Sequence, residues 1–241
     1  MKISFYFLNF FFLLAITSQA QEADEMVFQS AFSELAGSTS REELPYYTFN
    51  KGGIVNVEGN GLLDQEWAEG VILSFEGELY RAQLRYDAYN DEMQVLSDGK
   101  TKALYPARIK GVRLGEQVFV PHAFIENKDK PGMGFFVVLA AGEISLLKRY
   151  EAIQQQAAEI HPTQGRKLTG DIKIVIEEAY YYSSKNRPAA KLRTSKGSVL
   201  DVLNKRRKAV AKYAKENDLN PKKEKDLIAL FDFYNRQTEN H

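Results

Sequence analysis

His122, His161 and His241 are the side chains best suited to move a proton near neutral pH. No two of them are close in sequence, and the H-E-x-x-H spacing that holds zinc on a helix face does not occur. His122 follows Pro121 and His161 precedes Pro162, so both read as loop residues. The chain has no cysteine, which removes thiol nucleophiles, thiolate metal sites and disulfides together. Neither a G-x-S-x-G elbow nor S-x-x-K is present. A dispersed Ser–His–Asp triad leaves no such trace, so a serine folded against His122 or His161 is the hydrolytic arrangement that stays open. Glycoside hydrolysis needs two carboxylates across a cleft. Glu177 and Glu178 are adjacent in an expected strand and would point to opposite faces. Asp87, Asn90, Asp91 and Glu92 gather oxygens of the kind calcium takes, without the D-x-[DN]-x-[DN]-G loop. A solvated hairpin loop is the simpler reading. The phosphate-cradling G-x-x-x-x-G-K and G-x-G-x-x-G are also missing. No catalytic residue, cofactor or metal site is expected.

The basic run Lys205-Arg206-Arg207-Lys208, continued by Lys212 and Lys215, has more functional reach. Net charge is zero, but it conceals a split. Residues 21–100 carry 16 acidic and 5 basic side chains, and residues 185–225 carry 14 basic and 4 acidic. A cationic surface attracts lipid head groups, lipopolysaccharide or an acidic protein. The plainer reading is a solvated helix face.

The elements that must position these residues follow from periodicity. Residues 1–20 read as a secretory signal: Lys2, an apolar run from Ile3 to Ile16, then Ser18-Gln19-Ala20. That run is shorter than the roughly 20 residues a spanning helix needs. The mature chain is expected to begin at Gln21 and not to span a membrane. Residues 21–45 are an acidic segment in which Val27, Phe28, Ala31, Phe32 and Leu35 have helical spacing.

From 46 to 184 the pattern is that of a β-rich body. Tyr80, Ala82, Leu84 and Tyr86 alternate with Arg81, Gln83, Arg85 and Asp87, so the first set should be buried and the second solvated. Glu76-Gly77, Asp98-Gly99, Gly115-Glu116 and Ala141-Gly142 mark hairpin turns, and Tyr89-Asn90-Asp91 a longer one. Phe135–Leu139 is apolar on both faces and predicts a strand covered on both sides. Residues 151–170, with the run Gln154-Gln155-Gln156, Pro162, Gly165 and Gly170, read as a connection, and Ile172, Ile174 and Ile176 as the last strong strand. Residues 185–241 read as a basic helical pair. Ser198 with Asp201 resembles a capping box, and Asn220-Pro221 an N-cap and first helical residue. Val199, Leu203, Val210 and Tyr213 form one apolar stripe; Leu227, Leu230, Phe231 and Tyr234 form the next.

Several of these segments carry a resemblance. They are Trp67-x-x-Gly70, Gly77-x-x-Tyr80, the run Leu84 to Met93, Gly142-x-x-x-Leu146-Leu147, and the stretch from Asp226 to Asn235. Together they resemble a group of exported β-rich proteins common in Bacteroidota. The resemblance implies export and a β-rich body and supplies no functional residues. The expected fold is mainly β (α+β), an antiparallel meander, barrel- or sandwich-like, followed by two helices. The expected function is non-enzymatic binding or structure in the periplasm or envelope, with an anionic envelope component or another envelope protein as partner. Nucleic acid is not expected in that compartment. The alternative is a periplasmic hydrolase with dispersed catalytic residues.

Overall fold

The computed structural model describes residues 46–47, 57–58, 61–127, 130–160, 167–184 and 187–236. The expected signal segment, the acidic segment 21–45, His161 and His241 lie outside the described residues. Among the described residues twelve strands form one sheet: β1 (Tyr46–Tyr47), β2 (Val57–Glu58), β3 (Ala68–Ser74), β4 (Leu79–Asp87), β5 (Glu92–Ser97), β6 (Lys100–Leu104), β7 (Ile109–Leu114), β8 (Gln117–Asn127), β9 (Lys130–Ala140), β10 (Ile144–Ile160), β11 (Lys167–Ser184) and β12 (Ala190–Lys191). Helices α1 (Lys196–Val202), α2 (Arg207–Glu216) and α3 (Glu224–Arg236) follow. The fold is therefore mainly antiparallel β with a C-terminal helical part.

The turn chemistry acts where the dipeptides stand. Asp98 and Gly99 both take left-handed backbone (φ 52 and 69), the pairing that a two-residue hairpin turn requires. The sheet order is β1-β6-β5-β4-β3-β7-β8-β9-β10-β11-β12, with β2 pairing in parallel with β11, and the short 3-10 turn Pro106–Arg108 stands between β6 and β7, which are not neighbours in that order. The sheet curls around a first core of Ile72, Leu84, Tyr86, Met93, Val95, Val112, Phe119, Phe135 and Val137. On the opposite face a second, smaller ring forms. The Ala189 N–H donates to the Ala123 carbonyl (2.7 Å), the Ile125 N–H donates to the Ala189 carbonyl (3.0 Å), and β12 pairs with β11. The segment 189–191 thus joins β8 to β11, and strands β8 to β12 enclose Phe124, Phe136, Leu147, Ala179 and Tyr181. The Phe124, Phe136 and Tyr181 rings meet edge to face at 5.2–6.3 Å. Phe135–Leu139 is apolar on both faces because β9 is a wall of both rings.

Several readings from the sequence need correction here, among them His122, which stands within β8 rather than in a loop. Residues 151–160 are strand, not connection: β10 and β11 form one long hairpin paired from Ile144↔Ser184 to Ile160↔Lys167. Ile174 is buried and Ile176 packs against the first core, so β11 carries an apolar face that the glutamine-rich strand lacks by itself. The helical part holds three helices rather than two. Ser195, not Ser198, caps α1: the Ser198 N–H donates to Ser195 Oγ at 3.3 Å, while Asp201 pairs with Arg207 instead of reaching back. The chain breaks at Leu203 into a 3-10 turn before α2. Asn220 caps a turn at Lys222 (3.1 Å), and α3 begins only at Glu224.

The apolar stripes do what their spacing requires. Val199, Leu203, Val210, Leu227, Leu230, Phe231 and Tyr234 are buried together, and Tyr213 stacks on Phe233 at 4.2 Å. Each fully buried large side chain contributes roughly 1.5–3 kcal/mol. Asn235 fixes where this helical layer sits. Its Oδ1 accepts from the Ile144 N–H (3.2 Å), and its Nδ2 donates to the Ala141 (3.1 Å) and Ile144 (3.0 Å) carbonyls. One buried amide thus satisfies the β9–β10 turn. Asn235→Ala is expected to cost about 1–3 kcal/mol, because it leaves buried backbone groups unpaired. Urea unfolding of the variant against the parent measures this.

Candidate functional site

The acidic turn after β4 is a buried polar node, not a solvated loop. Asp87, expected in water, is fully buried. Its oxygens accept from the Tyr89 and Asn90 N–H groups (both 3.1 Å), Asn90 Nδ2 (3.0 Å) and Gln94 Nε2 (2.9 Å). Burial without loss is allowed because every lone pair has a donor. Asp91 stands next in left-handed backbone (φ 53). Its Oδ1 accepts from the Tyr86 hydroxyl (2.6 Å) and the Phe135 N–H (3.1 Å); its Oδ2 accepts from Arg149 (2.8 Å). Gly134 makes room, since a Cβ there would stand 2.4 Å from Asp91 Oδ2. These oxygens are committed to protein donors. Among the described residues no group of three or more His, Cys, Asp or Glu is placed to hold a metal ion.

From Asp91 the network runs to the outer edge of the second ring. Arg149 lies over the Phe124 ring at 4.2 Å. Burial would lower its pKa, but the charge and hydrogen bond of Asp91 outweigh that and hold the guanidinium above its ordinary value. The Tyr181 hydroxyl donates to Glu151 Oε1 (2.6 Å), and Lys191 donates to Oε2 (2.8 Å). Burial pushes the Tyr181 phenol up to about 12, helped by its bond to Glu151. Burial would also raise Glu151, yet the hydrogen bonds from Lys191 and Tyr181 prevail and hold it below the usual carboxylate range.

His122 meets a serine. Its Nε2 lies 3.0 Å from Ser183 Oγ, and its Nδ1 lies 2.7 Å from the Ala123 carbonyl. That carbonyl calls for the proton on Nδ1, which leaves Nε2 to face the hydroxyl. The surroundings oppose nucleophilic use. Ser183 is 7% exposed, and its hydroxyl is shared with the Arg187 (3.2 Å) and Ser184 (3.4 Å) carbonyls. The His122 ring is oriented by a backbone carbonyl, where a triad has a carboxylate. Glu177 and Glu178 are both exposed and point to opposite faces of β11. Glu178 pairs with the buried Lys148 (3.3 Å), which also holds Glu224 of α3 (2.9 Å).

The six basic residues singled out in sequence divide. Lys205 and Arg206 both pair with Glu143 in the β9–β10 turn, Arg207 with Asp201, and Lys212 with Glu216 at 3.7 Å. The hydrogen bond from Lys205 holds Glu143 below its ordinary range. Lys208 and Lys215 are exposed, with no carboxylate partner among the described residues. The same holds for Lys222, Lys223 and Lys225 on the approach to α3. Residues 187–236 carry fourteen basic and six acidic side chains. None of the three tyrosines 180–182 is exposed: Tyr181 fills the second ring, and Tyr180 and Tyr182 pack towards the helices.

One cleft opens on the first ring, with a volume of about 340 Å³. Leu63, Leu84, Leu114 and Tyr150 form its apolar walls, with Arg85, Gln117, Asp64 and Glu66 among its polar lining. Arg85 was read in sequence as a solvated strand residue. It is half-buried, and its Nε donates to Gln94 Oε1 (3.0 Å), its NH1 donates to the Gln65 carbonyl (3.3 Å), and its guanidinium lies 4.2 Å over the Trp67 ring. An arginine amid the apolar alternation of β4, with the sole tryptophan 18 residues upstream, is the only trace of this in sequence. No helix among the described residues is long and apolar enough to cross a membrane. No family model matches the chain, and no curated protein or solved structure matches it either.

Two outcomes follow from the buried network. Asp91→Ala leaves the half-buried Arg149 and the Phe135 N–H without their acceptor, and is expected to cost roughly 3–5 kcal/mol. Asp91→Asn keeps an acceptor oxygen and should cost less, both read from urea midpoints. Glu151 has a folded pKa below its ordinary 4.5. Its stabilisation is therefore present above that value and is lost as pH falls through the folded one. Glu151→Gln should lower stability at pH 7 and flatten the acid limb of a stability–pH profile. An unchanged acid limb would show that the Lys191 and Tyr181 contacts do not discriminate the charged carboxyl.

Proposed function

We propose that this chain is an exported, non-enzymatic protein of the periplasm or envelope that docks an anionic envelope component on its basic helical face. The observation that carries the reading is the exposed set Lys208, Lys215, Lys222, Lys223 and Lys225, whose charge no described carboxylate neutralises. The signal-like first twenty residues support export. The hydrogen-bonding of Asp87, Asp91 and Ser183 supports a role other than catalysis, since each is occupied by structural partners. Rigid attachment supports docking over mere solvation. Asn235 and the Lys148–Glu224 pair hold the helices at a fixed angle to the sheet, so the lysines form a constant pattern.

Fractionation of cells producing the full-length chain tests this. Charge contacts between exposed groups are screened within about 10 Å at 0.1 M salt and faster above it. The protein is expected in the envelope fraction at low salt and in the wash at high salt, and Lys208→Glu with Lys215→Glu should release it at low salt. A protein freely soluble at both salt levels would overturn the docking reading. Retention in the cytoplasm would overturn the export reading.

A further inference from the structure

We propose that the partner of the basic helical face is the surface of a bilayer containing anionic phospholipid, met by Lys208, Lys212 and Lys215 along α2 and by Lys222, Lys223 and Lys225 just beyond it. This rests on the docking reading above and names the class of its partner. Lys208, Lys212 and Lys215 stand at i, i+4 and i+7, on the side of α2 away from the buried Val210 and Ala214. Lys212 meets Glu216 only at 3.7 Å, between exposed groups that solvent screens. The turn after α2 is held as well. The Leu219 N–H donates to the Ala214 carbonyl (2.9 Å), the Asn220 N–H donates to Asp226 Oδ2 (3.0 Å), Asn220 Oδ1 accepts from the Lys222 N–H (3.1 Å), and Pro221 is buried. Lys222, Lys223 and Lys225 are exposed on that backbone.

The make-up of the face selects among anionic partners. Its six exposed cations are all lysines, whereas Arg206 and Arg207 of the same basic run are turned to Glu143 and Asp201. An arginine fork grips a single phosphate or carboxylate; lysine is a strongly hydrated point charge without that fixed geometry. A protein partner wants an apolar centre, where lysine is depleted. The exposed large apolar side chains, Phe75, Leu96, Tyr105, Ile125 and Met133, all precede the helices, and none stands on a described helix. Two exposed carboxylates, Glu216 and Asp218, stand among the six lysines and leave the face cationic. Six lysines also fall within the roughly four to eight cations with which polybasic segments hold an anionic leaflet. Net charge of the chain is zero, so attraction to an anionic surface reports this face and not the total.

The purified chain from Gln21 onward is sedimented with vesicles of phosphatidylcholine, alone or mixed equally with phosphatidylglycerol. Binding is expected to the mixed vesicles alone, and its loss is expected at about 1 M salt, where the screening length falls to about 3 Å. Lys208→Gln with Lys215→Gln should weaken binding about tenfold or more, since each lysine near an anionic surface contributes about fivefold, or ~1 kcal/mol. Lys222→Gln with Lys223→Gln should do likewise. Lys100→Gln with Lys110→Gln makes the same charge change at exposed positions of the sheet and should leave binding as it is. Glycerol phosphate should displace no more protein than sodium chloride of equal ionic strength, because no fixed fork receives a single headgroup.

Equal binding to the two kinds of vesicle would overturn the proposal. An equal loss in the Lys100 and Lys110 variant, or displacement by glycerol phosphate beyond the chloride control, would do the same. So would a lack of binding to mixed vesicles at low salt. If cells then still released the protein from the envelope fraction at high salt, the docking reading would stand and its partner would be an acidic protein or polymer instead of a bilayer.

Discussion

The carboxylate of Asp91 stands where the sheet parts. Strand β9 pairs with β10 only opposite Leu146, Leu147 and Lys148. Beyond that point β10 turns away with β11 into the long hairpin, while β9 continues beside β8. Parting strands leave backbone donors with no ladder partner, a cost comparable to a lost hydrogen bond for each buried group. Asp91 answers this from a third direction. It comes from the β4–β5 turn, accepts from the β9 backbone at Phe135 and from the β10 side chain Arg149, and takes the Tyr86 hydroxyl from the first core. One side chain therefore ties both rings at the wall they share. The left-handed backbone of Asp91 and the missing Cβ of Gly134 are the local concessions that admit it.

The helical layer depends on a second, independent set of ties. Asn235 satisfies the β9–β10 turn, Lys148 bridges Glu178 and Glu224, and Glu143 receives Lys205 and Arg206. All three reach the same hairpin from different helical positions. Lys148 is nearly fully buried, and a lone ammonium there would be costly. Two carboxylates and the Tyr150 ring at 5.5 Å offset the lost water. Part of the basic character read from sequence is therefore internal mortar. Lys205 and Arg206 bind the helices to the sheet, and only the lysines further along keep their charge for something else.

Local features of this fold were legible in the sequence and distant ones were not. The hairpin at Asp98-Gly99 needs only its own two residues, and the burial of Leu84 and Tyr86 needs only the alternation around them. The two-sided run Phe135–Leu139 announced a strand between two layers, which is what β9 is. Ser195 displaced Ser198 as the cap because both spacings are plausible and packing of Val199 and Leu200 chooses between them. The extension of β10 through Gln154-Gln155-Gln156 was hidden because its reason lies in β11. Asp91 reads as a turn residue because its partners stand 44 and 58 positions away. Arg85 was assigned to water for the same cause: the period-two pattern gives a side, but not whether that side holds a tryptophan and Gln94.

Function in such a molecule is best sought in groups whose bonding capacity the fold leaves over. Asp87 makes four hydrogen bonds, Asp91 three, and Ser183 sits among a histidine and two carbonyls. To do chemistry, each would have to abandon partners that hold the structure, at roughly 1–3 kcal/mol for every buried group left bare. The exposed lysines Lys208, Lys215, Lys222, Lys223 and Lys225 are in the opposite state, with no carboxylate partner among the described residues. Asn235 and the Lys148–Glu224 pair tie α3 to the sheet, so the helical layer that carries these lysines is held in place before any partner arrives. An uncancelled cation on a fixed scaffold lowers the cost of binding an anion.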